Sequence, residues 1–164
     1  MYGQTEATSR MSYLEPSEVT KRLGSIGKPM SGSKMWLIDE DENIIKETGK
    51  NGELVYKGDN VSYGYSYSSS DLSKDDENNK ILYTGDIANF DKDGFFYISG
   101  RLKRIAKIYG NRFNLDEIEQ KMDKRGFKII CKDGDDKLLV FYDNDYSKIK
   151  LLDSLSEITK QNCE

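Results

Sequence analysis

The chain opens on an aromatic ring, a glycine, a hydroxyl and a carboxylate within five residues: Tyr2, Gly3, Gln4, Thr5 and Glu6. A ring can stack on a nucleobase, a hydroxyl can meet a phosphate, and a carboxylate can help to hold Mg²⁺. Taken alone, the same residues equally describe an exposed chain terminus. Further on, Tyr83-Thr84-Gly85-Asp86 closes a predicted strand. A carboxylate on a rigid strand end can accept hydrogen bonds from two neighbouring hydroxyls, as a ribose presents them. An ordinary turn aspartate is the alternative. Between Gly100 and Arg112 stand Arg101, Lys103, Arg104, Lys107 and Arg112, with no acid among them. In a chain of net charge -4 this local reversal suggests a phosphate-bearing ligand or a solvated basic face.

Composition narrows the chemistry. The 164 residues contain no histidine, which removes Ser-His-Asp and Cys-His schemes and leaves lysine, arginine, carboxylates, hydroxyls and backbone amides. Two cysteines, Cys131 and Cys163, are too few for a disulfide framework and lie at no metal-ligand spacing. The mild acidity argues against nucleic acid as a partner, and no apolar run is long enough for a membrane span. The expected location is cytoplasmic. Residues 39–43 imitate the start of a calcium loop, but Ile44 stands where glycine is obligatory. Tyr63, Tyr65 and Tyr67 alternate like a stacking platform, yet lack the basic groove that single strands require, so core or surface packing is the expectation.

The elements that must position these groups change character along the chain. Short strands are predicted over 35–38, 52–56 and 81–83, with a hairpin over 87–98 turning at Gly94. Residues 67–80 read as a polar surface loop. After Gly100, Asn114 caps a helix carrying Leu115, Ile118 and Met122 on one face, and Gly126 ends it. Strands over 127–131 and 138–142 follow. A last helix opens at Ser147 with Ile149, Leu152, Leu155 and Ile158 on its buried stripe. The expected fold class is α+β: a small β-barrel-like subdomain over 1–100, then a compact α+β unit over 101–164.

Taken together and in order, the motifs resemble those of the adenylate-forming superfamily, which includes acyl-CoA synthetases. They are Tyr2 to Glu6, Gly24-Ser25-Ile26-Gly27-Lys28-Pro29, Gly52-Glu53-Leu54 with Gly58 and Gly64-Tyr65, Tyr83 to Asp86, and Gly100 to Arg112 with Asp116 to Glu119. The resemblance covers roughly residues 2–120 and implies ATP or AMP and Mg²⁺ as cofactors. It implies that a carboxylic acid is activated as acyl-AMP and passed to CoA or a carrier-protein thiol. On this resemblance Tyr2 stacks on adenine beside Gly3, Thr5 contacts phosphate, and Glu6 helps to hold Mg²⁺. Asp86 takes the ribose hydroxyls, with Arg101 at the ribose or phosphate. Lys103 is the hinge of a carboxyl-terminal lid, and Lys107 and Arg112 face the active site during thioester formation.

Two departures qualify the resemblance. The family's Gly-rich phosphate loop lies upstream of the first motif, and its carboxyl-terminal Gly-Lys is not matched around Lys160. The expectation is therefore a carboxyl-terminal fragment, inactive alone, whose first motif is disordered or displaced for want of a supporting strand. The alternative is a non-catalytic nucleotide-binding or protein-interaction module on the same scaffold.

Overall fold

The computed structural model describes every residue except 9, 109, 135, 144 and 161–164. It contains mixed α and β structure, mostly sheet with two α-helices, in two compact units, Met1–Ser99 and Gly100–Glu164.

The first unit is built on strands β1 (Ser12–Tyr13), β2 (Ser25–Pro29), β3 (Lys34–Ile38), β4 (Ile44–Ile45), β5 (Gly52–Lys57), β6 (Ile81–Phe90) and β7 (Phe96–Arg101). They form one seven-stranded sheet in the order β1-β2-β7-β6-β5-β3-β4. This corrects the barrel-like expectation. The short strands β1 and β4 stand at the two ends of an open sheet and do not pair with each other. Apolar alternation seats one face on Leu37, Ile45, Leu54, Ala88 and Phe96. A second cluster, Ala7, Met11, Tyr56 and Val61, gathers the amino-terminal segment.

The predicted strand over 81–83 and the first arm of the hairpin are one element. β6 runs ten residues, so Asp86 lies within a strand rather than at its end. Continuity survives because the strand bulges. Between the pairs Glu53↔Ile87 and Val55↔Tyr83, β5 contributes Leu54 alone while β6 contributes Thr84, Gly85 and Asp86. Gly85 takes φ +68°, a value that glycine reaches without steric cost.

In the second unit, β8 (Ile105–Ile108) and β9 (Asn111–Asn114) form a hairpin, and α1 (Leu115–Asp123) follows directly. Asn114 starts the helix, its side chain accepting from the amides of Asp116 and Glu117 at 3.0 and 3.3 Å. β10 (Ile129–Asp133) and β11 (Leu138–Tyr142) make a second hairpin, and α2 (Lys148–Thr159) closes the unit. Ala106, Ile108, Leu115, Ile118, Met122, Ile129, Cys131, Leu151 and Leu155 form its core. The buried stripe of α2 is corrected by one face. Leu151 and Leu155 are buried, Leu152 and Ile158 are half-buried, and Ile149 is exposed. Leu151, Leu155 and Ile158 follow helical spacing, whereas Ile149 lies off that face.

Candidate functional site

Asp86 is the buried carboxylate around which the first unit's polar groups are arranged, at 3% exposure. The bulge sets its direction. Thr84 Oγ1 donates to the Leu54 carbonyl at 2.7 Å and accepts from the Asp86 amide at 3.1 Å. The amide of Gly85 donates to Glu53 Oε1 at 3.0 Å. Thr84 and Glu53 thus pin the two sides of the bulge to β5, and the Asp86 side chain inherits that rigidity. Such buried groups must be hydrogen-bonded, which is why a threonine serves here better than an isosteric valine.

The amino-terminal motif meets this carboxylate. Tyr2 Oη donates to Asp86 Oδ2 at 2.6 Å, and Gln4 Nε2 donates to the same oxygen at 3.1 Å. Gln4 Nε2 also lies 2.9 Å from the Thr84 carbonyl and 3.3 Å from Tyr2 Oη. The expected displacement of this segment is therefore corrected. Tyr2 bridges to Ser12, with hydrogen bonds from the Tyr2 amide to the Ser12 carbonyl and from the Met11 and Ser12 amides to the Tyr2 carbonyl. Ala7 and Met11 are fully buried behind it. Strand β1 supplies the support that the sequence reading expected only from upstream. The ring of Tyr2 is half-buried and packs against both apolar clusters.

Thr5 and Glu6 lie in a single 3₁₀ turn, Thr5–Ala7. Thr5 is exposed and Glu6 half-buried. Tyr65 Oη donates to Glu6 Oε1, and the Ser62 amide donates to the Glu6 carbonyl at 2.7 Å. The Glu6 carboxylate beside it raises the Tyr65 phenol above its ordinary range. Tyr63, Tyr65 and Tyr67 are exposed, so they lie at the surface and not in the core, with the Tyr65 and Tyr67 ring centroids 6.3 Å apart. Among the described residues no three carboxylates or thiols cluster as a metal cage. Glu6 nonetheless suits Mg²⁺, which commonly takes one or two carboxylates and completes its shell with water and phosphate.

The second unit carries the cations. Arg101 ends β7 and Lys103 lies in a 3₁₀ turn, Leu102–Arg104, both exposed. Lys107 and Arg112 are exposed and face each other directly across the β8–β9 hairpin. Arg104 plays a different part. Its guanidinium lies 2.7 Å from Asp116 Oδ1, 2.6 Å from Glu119 Oε1 and 2.8 Å from the Cys131 carbonyl. Glu119 and Asp116 hold it still more firmly charged. One of the five cations is thereby a strut between the 3₁₀ turn Leu102–Arg104, α1 and β10.

Sequence reasoning assigned no role to Gln4, Glu53, Thr84 or Tyr65. Gln4 was visible only as a member of its motif, and nothing local marks Glu53 as a partner of Gly85. No described helix is long and apolar enough to cross a membrane.

Comparison with known proteins gives a consistent picture. Residues 1–66 match the family described as AMP-binding enzyme. Over 118 residues the chain is 34% identical to 2-succinylbenzoate–CoA ligase from Bacillus licheniformis, covering 72% of this chain and 24% of that protein. It is 36% identical over 118 residues to long-chain-fatty-acid–CoA ligase from Salmonella typhimurium, 72% of this chain and 20% of that one. The chain thus spans about a fifth to a quarter of these relatives' length. Among solved structures it resembles o-succinylbenzoate coenzyme A synthetase from Bacillus subtilis in complex with the acyl-adenylate intermediate OSB-AMP. The TM-score is 0.70 at 25% identity, over 95% of this chain and 34% of that one. The same enzyme in complex with ATP and magnesium ion gives 0.66, again at 25% identity, over 95% of this chain and 34% of that one.

Proposed function

Because the chain belongs to the adenylate-forming superfamily, we propose that it forms the nucleotide-side part of an ATP-dependent acid–thiol ligase. The reaction is carboxylate plus ATP to acyl-AMP and pyrophosphate, then transfer of the acyl group to a thiol, with CoA favoured over a carrier protein. The relatives' own names, CoA ligases, support that preference. The observation that carries the reading is the pinned bulge, which aims a buried carboxylate at the partners Tyr2 and Gln4. Asp86 is the ribose ligand, and its accepting oxygens suit two vicinal hydroxyls. Tyr2 and Gly3 border the base, Thr5 contacts phosphate, and Glu6 helps to hold Mg²⁺. Arg101 serves the ribose or phosphate, and Lys107 with Arg112 neutralises charge during thioester formation. Positioning and charge neutralisation supply most of such catalysis, so histidine is not needed.

Lys103 is the hinge of a carboxyl-terminal lid. Its 3₁₀ turn follows directly on the boundary between the two units, which supports that role. Turnover by these 164 residues alone is weak or absent, a reading supported by the small share of the relatives that they span.

Titration calorimetry with AMP tests the site. Weak binding that disappears in Asp86→Ala is the expected result, and equal affinity in both proteins would overturn the ribose assignment. Pyrophosphate release on a panel of carboxylic acids, at rates typical of complete enzymes, would overturn the claim of weak turnover. A second reading, a non-catalytic nucleotide-binding or protein-interaction module, is favoured by how fully Tyr2 and Gln4 engage Asp86 within the chain. It predicts AMP binding without any pyrophosphate release when the chain is supplied inside a longer ligase.

A further inference from the structure

The bulge fixes the backbone of Asp86 but not the plane of its carboxylate. That plane turns about a terminal torsion with a broad preference, which backbone geometry does not set. Two side chains of the amino-terminal motif supply the missing constraint, both at the same atom. Tyr2 Oη donates to Asp86 Oδ2 at 2.6 Å, and Gln4 Nε2 donates to it at 3.1 Å. Two donors converging on one oxygen define the plane in which the carboxylate meets any further donor.

Gln4 does more than add a bond. Its Nε2 carries two hydrogens, and the Thr84 carbonyl lies within reach of the second, at 2.9 Å. The amide thus spans the carboxylate and the backbone of the bulge and ties one to the other. Its orientation follows from its partners, because the flipped amide would set an oxygen against a carbonyl and a carboxylate. The backbone of Gln4 is engaged as well. Its carbonyl accepts from the Ala7 amide at 3.0 Å and opens the 3₁₀ turn that carries Thr5 and Glu6. One residue therefore joins Asp86 to that turn, across more than eighty positions of sequence.

We infer that Gln4, with the hydroxyl of Tyr2, is a positioning residue for the nucleotide. The pair holds the Asp86 carboxylate in the plane that meets the ribose hydroxyls, and so makes the chain selective for ribonucleotides over nucleotides lacking those hydroxyls. This rests on the ribose assignment of Asp86 under the proposed function. The contacts orient the carboxylate for a ligand and do not hold it away from one.

NMR titration of the full chain with AMP, and with its dideoxy analogue that lacks both ribose hydroxyls, tests this. The unaltered chain is expected to bind AMP the more tightly. Gln4→Met keeps the length of the side chain and removes its donors. It is expected to weaken AMP by about tenfold and to leave the dideoxy analogue unchanged. Tyr2→Phe keeps the ring and its packing, loses only the hydroxyl, and acts in the same direction; it carries the test alone if Gln4→Met does not fold. Variants that weaken both ligands equally would mean a merely structural role. Variants that bind AMP as well as the unaltered chain, or better, would mean that the contacts only occupy the carboxylate. Either result overturns the inference and leaves the ribose assignment standing. An unaltered chain that binds both ligands equally, or neither, overturns the ribose assignment and the inference with it.

Discussion

The two units hold their functional groups in opposite ways. Around Asp86 the first unit fixes one carboxylate with hydrogen bonds donated by Tyr2 and Gln4, and its backbone with an amide bond to Thr84 Oγ1. The second unit exposes Lys107 and Arg112 on a hairpin and ties Arg104 to Asp116 and Glu119. On the proposed reading, a carboxylate that meets two hydroxyls at set distances would gain from rigidity, whereas long cations answering a phosphate charge would need only a firm base. The lesson is that the residues most costly to remove need not be those that touch a ligand.

Several substitutions would break or sharpen that contrast. Arg104→Ala leaves Glu119, Asp116 and the Cys131 carbonyl without their shared donor, and is expected to cost about 2–3 kcal/mol in urea unfolding. A smaller loss than that of Thr84→Val would show that the strut matters less than the bulge. Thr84→Val leaves the Leu54 carbonyl and the Asp86 amide without the threonine oxygen, for about 1–2 kcal/mol. Gly85→Ala meets no neighbour, since no atom lies within 4 Å of the added Cβ. Its cost is the left-handed backbone alone, about 1 kcal/mol, with AMP binding weakened as Asp86 turns away. Lys107→Ala changes stability by less than about 0.5 kcal/mol while slowing thioester formation in a complete ligase. A large loss of stability there would erase the distinction between strut and tip.

The smallest effect at neutral pH concerns Cys131. Burial first, then the Glu119 carboxylate, pushes its thiol from 9.0 to about 12. A raised folded value means that this contribution to stability is complete below the ordinary thiol range. It is lost as pH climbs through about 12, and unfolding measured from pH 8 upward should show the decline begin near 9. Alkylation of the native thiol at pH 8 should be slow for the same reason.

Much of the second unit was legible beforehand. Asn114, the apolar spacing of Leu115, Ile118 and Met122, and the turn at Gly126 are local signals, because a helix is closed by neighbours three and four residues apart. The strands β10 and β11 were equally plain, their ends displaced by at most two residues. Ile149 was misplaced because an apolar residue at a helix start satisfies more than one periodicity. In the first unit β3, β5, β6 and β7 were visible in part, but β1, β2 and β4 were not, and without the two end strands nothing says whether the sheet closes. The bulge was hidden as well. Thr84-Gly85-Asp86 reads as a turn unless the partner strand is known to run past it one residue to three.

The order of motifs from Tyr2 to Glu119 carried the resemblance to the superfamily, and the alternation of apolar residues marked most of the elements. Those properties are carried by residues near one another in the chain, or by identity alone. What Gln4 touches, why Glu53 matters, which of five cations is a strut and whether the sheet closes were decided by the tertiary structure. Each depends on a hydrogen bond or a pairing between residues far apart in sequence, whose register no local pattern encodes.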